Sequence, residues 1–331
     1  MSTFTAGSGV HERFIDILAP WIGTRNLGDL VIRDAVCGAL ATRGVLANSV
    51  TSSQIKPCRH TRAQLEGVGP MLVAGTNLLP FRSAKDPQFP VPAVAQRQIE
   101  GRVVLFGVGW RRYAAQWDKD SAKTTLRLLS KVYPQSVRDS HTQGLLRELG
   151  VESVLTGCPT LWSVPEQLGE FDEGSVVLTI TDYSPDSGRD RRLLDWAQRR
   201  FRNAVLQPMG PRDAEIAIRE YKWDPARVLP YSLADFSKYL IDHRPMFMGT
   251  RLHAAIRVMQ YGLPAAIVAI DNRAKEMGAD FGLHITDGQS SRELDDALVR
   301  SQERVPAGLR EARSQGAHYL NELTARLAAN E

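Results

Sequence analysis

The chain has 331 residues, 43% of them hydrophobic and 24% charged, with a formal net charge of +4 at neutral pH. That is the composition of a globular protein long enough for two ordinary domains, and no apolar run reaches the roughly 18 residues that a membrane span needs. Cys37, Cys58 and Cys158 are scattered and odd in number, which excludes a disulfide framework or a cysteine zinc site and suits a reducing cytoplasm.

Residues 1–10 lack a basic stretch followed by an apolar one, so no secretory signal is expected. Residues 11–18 read as a short leading helix. Trp21-Ile-Gly-Thr-Arg-Asn-Leu-Gly-Asp29 then leads into an apolar-periodic helix over 30–43. Asn26, Gly28 and Asp29 form a tight loop ahead of that helix, and Gly28 permits a positive φ or the close approach of a ligand. Asp29 reads either as the helix N-cap or as a catalytic or substrate-orienting carboxylate at the helix entrance. A strand follows over 45–50, then a polar, irregular stretch over 54–69. Residues 71–74 form a short buried strand that ends in Gly75-Thr76-Asn77. The proline-rich stretch 80–96 reads as a long loop, either a lid or plain linker.

Residues 102–109 make the clearest strand-to-loop transition of the first half. Gly107-x-Gly109 lies at its carboxyl end, where open α/β sheets bind ligands. The third glycine of a nicotinamide fingerprint is missing, with Arg112 in its place. A helix over 121–133, a short strand over 135–139 and a helix from 140 come next. Arg138, at that strand's end, faces either a ligand or the neighbouring Asp139. Residues 151–155 lead to the turn Gly157-Cys-Pro-Thr160. A linker over 162–174 divides the chain into an N-terminal α/β domain, 1–165, and a C-terminal one, 170–331.

The second half restarts with a strand over 175–180 and a polar loop over 181–184. Residues 189–202 (RDRRLLDWAQRRFR) form an amphipathic helix with Leu193, Leu194, Trp196 and Ala197 on the buried side. Its basic face is either solvated or in contact with a lipid- or nucleotide-linked molecule at a membrane surface. No RNA- or DNA-binding motif accompanies it. Strands over 204–209 and 227–229 and helices over 214–221 and 233–242 lead to Pro245-Met-Phe-Met-Gly-Thr-Arg-Leu-His-Ala-Ala-Ile-Arg257. This segment reads as a strand over 246–248, a turn at Gly249-Thr250, and a helix capped by Thr250 with Arg251 and His253 in its first turn. Free N–H groups and the helix dipole favour an anion there. A guanidinium fork and an imidazole add affinity for phosphate or carboxylate. Taken singly, the pair also reads as a surface arginine and a core histidine. Gly262-x-Pro264 ends the helix, 265–270 is an apolar strand, and 309–327 is a long terminal helix. Strands alternating with helices in both halves indicate two doubly wound, Rossmann-like α/β domains facing a cleft.

Several of these blocks, in this order, resemble the polysaccharide pyruvyltransferase family. They are Asn26-x-Gly28-Asp29 before the first long helix, Ser136-x-Arg138-Asp139 before Leu145-Leu-x-x-Leu149-Gly150, and the strand–Thr250-Arg251-Leu252-His253–helix–Gly262-x-Pro264–strand unit. The likeness runs from about residue 21 to 277. It departs in two places. Ala74-Gly75 stands where the family usually carries a run of glycines, and the turn around Cys158 lacks the family's aspartate.

The resemblance implies a glycosyltransferase-B-like arrangement of the two domains, with the acceptor on the N-terminal side and phosphoenolpyruvate on the C-terminal side. It implies transfer of the pyruvyl group of phosphoenolpyruvate onto two hydroxyls of a polysaccharide precursor, giving a cyclic ketal and phosphate. The donor substrate is then the only small molecule required, with no cofactor and no metal. The acceptor would be a sugar carried on a lipid or a nucleotide, with no nucleic acid partner. The place would be the cytoplasm at the inner membrane face, in peripheral contact with it. Arg138, Arg251 and His253 match the donor-binding positions. His253 is the expected acid that protonates C3 of the donor, and Asp29 the base or acceptor orienter. Asn26, Gly28, Gly75, Asn77, Gly107, Gly109, Thr250 and Leu252 complete the expected substrate-binding set. Two other readings stay open: a sugar-nucleotide glycosyltransferase of the same fold, and a non-catalytic family member that binds a sugar phosphate.

Overall fold

A computed structural model describes residues 13–54, 65–81, 93–110 and 117–329. Two sheets organise them. The first contains β1 (Arg13–Ala19), β2 (Val45–Ser52), β3 (Met71–Leu79), β4 (Val103–Trp110), β5 (Ser136–Val137) and β6 (Val154–Leu155), in the order β2-β1-β3-β4-β5-β6. The second contains β7 (Asp172–Thr179), β8 (Asn203–Leu206), β9 (Pro245–Gly249), β10 (Ala265–Val268) and β11 (Ile285–Thr286), in the order β11-β10-β9-β7-β8. The strand pairs are parallel throughout both sheets. Parallel strands need crossover helices on both faces, so their residues are buried on both sides. All eight residues of β4 and all five of β9 are buried, which is why these segments read as continuous apolar runs.

In each sheet the chain turns back at one place. After β1 it runs to β2 on one side and then to β3 on the other; after β7 it runs to β8 and then to β9. Such reversals open a crevice at the carboxyl ends of the two diverging strands. The chain crosses between the sheets in the turns after β6. It returns at the end, where the helix Gly308–Ala329 packs Tyr319, Leu320 and Leu323 into the core beneath the first sheet. The Tyr319 hydroxyl donates to the Leu105 carbonyl of β4 at 2.8 Å. Gly316 admits Trp162, since a Cβ there would lie 2.5 Å from the indole.

Several sequence expectations need correction. Residues 13–18 are strand, not helix; 11–12 lie outside the described residues. Ile15, Ile17 and Ala19 feed one core and Leu18 the other, the two-sided burial of a central parallel strand. The first helix is Leu27–Ala41, and its N-cap is Asn26, whose side chain accepts from the Gly28 N–H. Asp29 therefore sits inside the first turn and is not the cap. The cap of helix Leu252–Gln260 is Arg251, without a side-chain cap bond, rather than Thr250. Thr179 of β7 displaces that role: its carbonyl accepts from Thr250 N–H at 3.0 Å and its hydroxyl from Arg251 N–H at 3.1 Å. Residues 225–227 form a single 3-10 turn, and Val228 makes only an isolated bridge to Leu206, so no strand forms at 227–229. In the stretch 80–96, residues 82–92 lie outside the described set and Ala93–Gln98 is a helix. Arg112, Cys58 and most of 54–69 also lie outside it. The helix Ser187–Arg200 buries Leu193, Leu194, Trp196 and Ala197, as its pattern predicts.

Candidate functional site

The two crevices face each other and merge into one cleft of about 920 Å³. The first sheet supplies the segment after β1, including Thr24, Arg25, Asn26 and Asp29, the end of β2 with Ser52 and Gln54, and Thr76 and Asn77 of β3. From the second come Asp182 and Tyr183 after β7, Gly210 after β8, Arg251 and His253 after β9, and Asp271 to Arg273 after β10.

Asp29 stands at the floor on the first-sheet side, 6% exposed. The Thr24 hydroxyl donates to its Oδ2 at 2.5 Å and the Asn26 amide to its Oδ1 at 3.3 Å. Burial dominates these donors and the nearby arginines, and lifts its pKa from 3.8 to about 6. Gly28 brings this turn against the second half: a Cβ there would lie 3.2 Å from His253 Cβ and 3.3 Å from His253 Nδ1. The contact is reinforced by the Leu27 N–H bond to the Met209 carbonyl at 2.9 Å and by the Tyr231 hydroxyl, which donates to the Arg25 carbonyl.

His253 lies in the first turn of Leu252–Gln260, 8% exposed. Its Nε2 is 3.7 Å from the Cys158 sulfur, in the turn where the resemblance leads one to expect an aspartate. Burial, with repulsion from Arg273 and Arg138, lowers the imidazole pKa to about 3; only Asp271 opposes. The thiol does not compensate, because burial pushes Cys158 upward and keeps it neutral. Burial therefore favours the neutral imidazole at His253.

Arg251 is heavily committed. Nη2 binds Asp213 at 2.6 Å and Asp182 at 3.0 Å, and Nε donates to the Ile180 carbonyl at 3.2 Å. Its guanidinium carbon lies 4.8 Å from the centroid of the Tyr183 ring. Asp213 is fully buried and also accepts from the N–H groups of Asp182, Met209 and Gly210. Gly210 makes room for this cluster, since a Cβ would lie 2.3 Å from Arg251 Nη2. Nη1 of Arg251 forms no hydrogen bond among the described residues. Arg273, at the start of Asn272–Phe281, pairs with Asp271, its Nε 2.9 Å from Oδ2, and donates to the Tyr183 hydroxyl at 2.7 Å.

Of the residues expected from sequence, Asn26, Asp29, Asn77, Arg251 and His253 line the cleft. Gly28 supports it from behind. The rest are placed otherwise. Arg138 is fully buried and off the cleft wall; Nη2 pairs with Asp139 at 3.0 Å, while Nε and Nη1 find no partner among the described residues. Gly109 makes space for that guanidinium, whose Nη2 would be 2.3 Å from a Cβ there. Gly107, at φ +65, packs on Pro159, and Gly75, at φ +44, on Ile32. Thr250 and Leu252 are buried in the supporting shell. Sequence reasoning missed Thr24, Asp182, Asp213, Asp271 and Arg273. All but Thr24 follow strands of the second sheet, a position that marks ligand edges in such sheets.

Two parallel α/β sheets with facing carboxyl ends and one shared cleft define a glycosyltransferase-B-type protein. Solved structures agree on the fold. The chain superposes on the UDP-GlcNAc 2-epimerase of Methanocaldococcus jannaschii with a TM-score of 0.55 at 10% identity, covering 95% of this chain and 99% of that one. For UDP-N-acetylglucosamine 2-epimerase from Rickettsia bellii the TM-score is 0.56 at 11% identity, covering 96% and 97%. A search of curated proteins finds no significant match. The model of the polysaccharide pyruvyl transferase family matches residues 26–272. The chain belongs to that family. No helix among the described residues is long and apolar enough to cross a membrane.

Proposed function

We propose that the protein transfers the pyruvyl group of phosphoenolpyruvate onto two hydroxyls of a sugar, forming a cyclic ketal and releasing phosphate. The observation that carries this reading is the pairing of a buried carboxyl, Asp29, with a helix N-terminus bearing Arg251 and His253 in the same cleft. The reaction needs an anion holder for the donor and a proton source for its C3. The N–H groups of Leu252 and His253, which find no acceptor among the described residues, and the open Nη1 of Arg251 suit the donor's phosphate and carboxylate.

We assign the proton to Asp29 rather than to His253. A pKa of about 6 leaves a protonated fraction near neutrality, and the donor's negative charge raises it further. His253, at about 3, would have to rise by more than three pH units to serve. Asp29 gives its proton to C3, turning the methylene into a methyl group while C2 becomes electrophilic. The first sugar hydroxyl attacks C2 and returns its proton to the Asp29 carboxylate. The C2–O bond to phosphate then breaks, the second hydroxyl closes the ring, and its proton leaves with the phosphate. His253 stays neutral and orients the donor by hydrogen bonding, and the wall of Gln54, Thr76 and Asn77 holds the acceptor. The family, the cleft and the absence of a membrane-spanning helix among the described residues fit a sugar acceptor met from the aqueous side of a membrane.

The test is a screen of sugar acceptors with phosphoenolpyruvate, read by phosphate release and by the mass of an added pyruvyl ketal. Release of a nucleoside diphosphate from a sugar nucleotide instead would replace this reading with a glycosyltransferase. Binding without turnover of either donor would leave a non-catalytic sugar-phosphate binder.

A further inference from the structure

The cleft is far larger than a three-carbon phosphate. Among apolar residues such as Ile22, Ile32 and Leu78, its first-sheet wall carries a set of uncharged hydroxyl and amide groups: Thr24, Ser52, Gln54, Thr76 and Asn77. Such groups suit sugar hydroxyls. One cation interrupts them. Arg25 lines the cleft and is exposed, and its guanidinium makes no hydrogen bond or ion pair among the described residues. The other arginines on the wall are committed: Arg251 to Asp182 and Asp213, Arg273 to Asp271. The Arg25 backbone is fixed, because its carbonyl accepts from Tyr231 and Leu27, two residues on, is tied to Met209. A pinned backbone carrying an unpaired guanidinium at the mouth of a polar cleft is arranged for an anion brought by the ligand.

We propose that Arg25 is the residue that recognises the acceptor's carrier, by holding a phosphoryl group next to the sugar, and so sets the preference for a glycosyl diphosphate over a free neutral sugar. This rests on the pyruvyl transfer reading, in which the first-sheet wall receives the acceptor. Both a lipid carrier and a nucleotide carrier present the same diphosphate, and the position of Arg25 at the rim leaves the carrier outside.

The experiment is calorimetric titration of inorganic pyrophosphate into wild type, Arg25→Gln and Arg25→Lys, with phosphoenolpyruvate saturating. Wild type should bind pyrophosphate with a salt-sensitive affinity. Arg25→Gln should weaken it about tenfold or more, the loss of one charge-assisted contact, and Arg25→Lys by less. Phosphoenolpyruvate affinity and melting temperature should be unchanged, since the side chain is exposed and unpaired. Parallel titrations with UDP-N-acetylglucosamine and with geranyl diphosphate then separate the carriers, the tighter ligand marking the source. Pyrophosphate affinity equal in wild type and Arg25→Gln overturns the proposal, as does parallel loss of phosphoenolpyruvate binding, which would make Arg25 a donor contact. If wild type fails to bind phosphoenolpyruvate, the pyruvyl transfer reading fails. Pyrophosphate titrated alone still decides whether Arg25 holds a phosphoryl group.

Discussion

Replacing Asp29 with asparagine separates the cost of a buried carboxylate from its use. Burial pushes the native carboxyl up to about 6 from the ordinary 3.8. Each pH unit of that interval corresponds to about 1.4 kcal/mol, so the ionised form destabilises the fold by about 3 kcal/mol. The sign follows from proton uptake. Between about pH 4 and 6 the folded chain binds more protons at this site than the unfolded chain, so its contribution is fully present below pH 4 and lost as pH rises through 6. An asparagine keeps the shape. Its carbonyl can accept from Asn26, and its amide can donate to the Thr24 hydroxyl, without the charge. Asp29→Asn should therefore unfold at higher urea than wild type at pH 8 and at nearly the same urea at pH 4. His253 contributes with the opposite sign but equally to both proteins, so it cancels in the difference. On the same preparations, phosphate release from phosphoenolpyruvate should fall about 10²–10⁴-fold if the carboxyl moves the proton. A variant less stable than wild type at pH 8 would show that the carboxylate is favourably held and refute the burial argument. A stabilised variant with full turnover would remove Asp29 from the chemistry.

The remaining predictions concern the second-sheet side. Arg251→Ala leaves Asp213 buried without its cation and should cost about 3–5 kcal/mol in urea denaturation, with donor binding measured only on the folded fraction; a loss below about 1 kcal/mol would mean that the cluster is solvated. Gly210→Ala drives a methyl into Arg251 Nη2 and should destabilise by about 1–3 kcal/mol and weaken phosphoenolpyruvate binding together, read by calorimetry. His253 should remain neutral in imidazole NMR spectra down to about pH 4. Because its folded pKa lies below the unfolded 6.5, it should withdraw stability as pH falls from 6.5 toward 3. A His253 titration near 6.5 in the free protein would return it to candidacy as the acid.

The residues themselves carry the alternation of strands and helices, the two-sheet architecture and the family. The patterns behind these are local. Apolar runs of strand length, glycine turns and amphipathic helices report burial wherever the chain places them, and Asn26-x-Gly28-Asp29 and Thr250-Arg251-Leu252-His253 sit where those patterns change. Locality also misleads. Residues 13–18 read as a helix because a central strand buried on both faces has no period of two. Thr250 reads as a cap because nothing nearby in sequence announces Thr179, 71 residues away, as the group that takes over its neighbours' N–H donors.

Only the tertiary structure decides the charge state of the site. Arg251 reads as a free anion holder until Asp182 and Asp213 are seen on its Nη2. Arg138 reads as a ligand contact until it is seen buried behind Gly109. In the proposed mechanism Asp29 takes the acid role expected of His253, because burial acts in opposite directions on an imidazolium and a carboxylic acid, lowering one pKa to about 3 and raising the other to about 6. Which groups are desolvated, and which charges meet across the two sheets, depends on segments far apart in the chain. Ionisation energies are set by that assembled surrounding, so residue identity and spacing do not contain them.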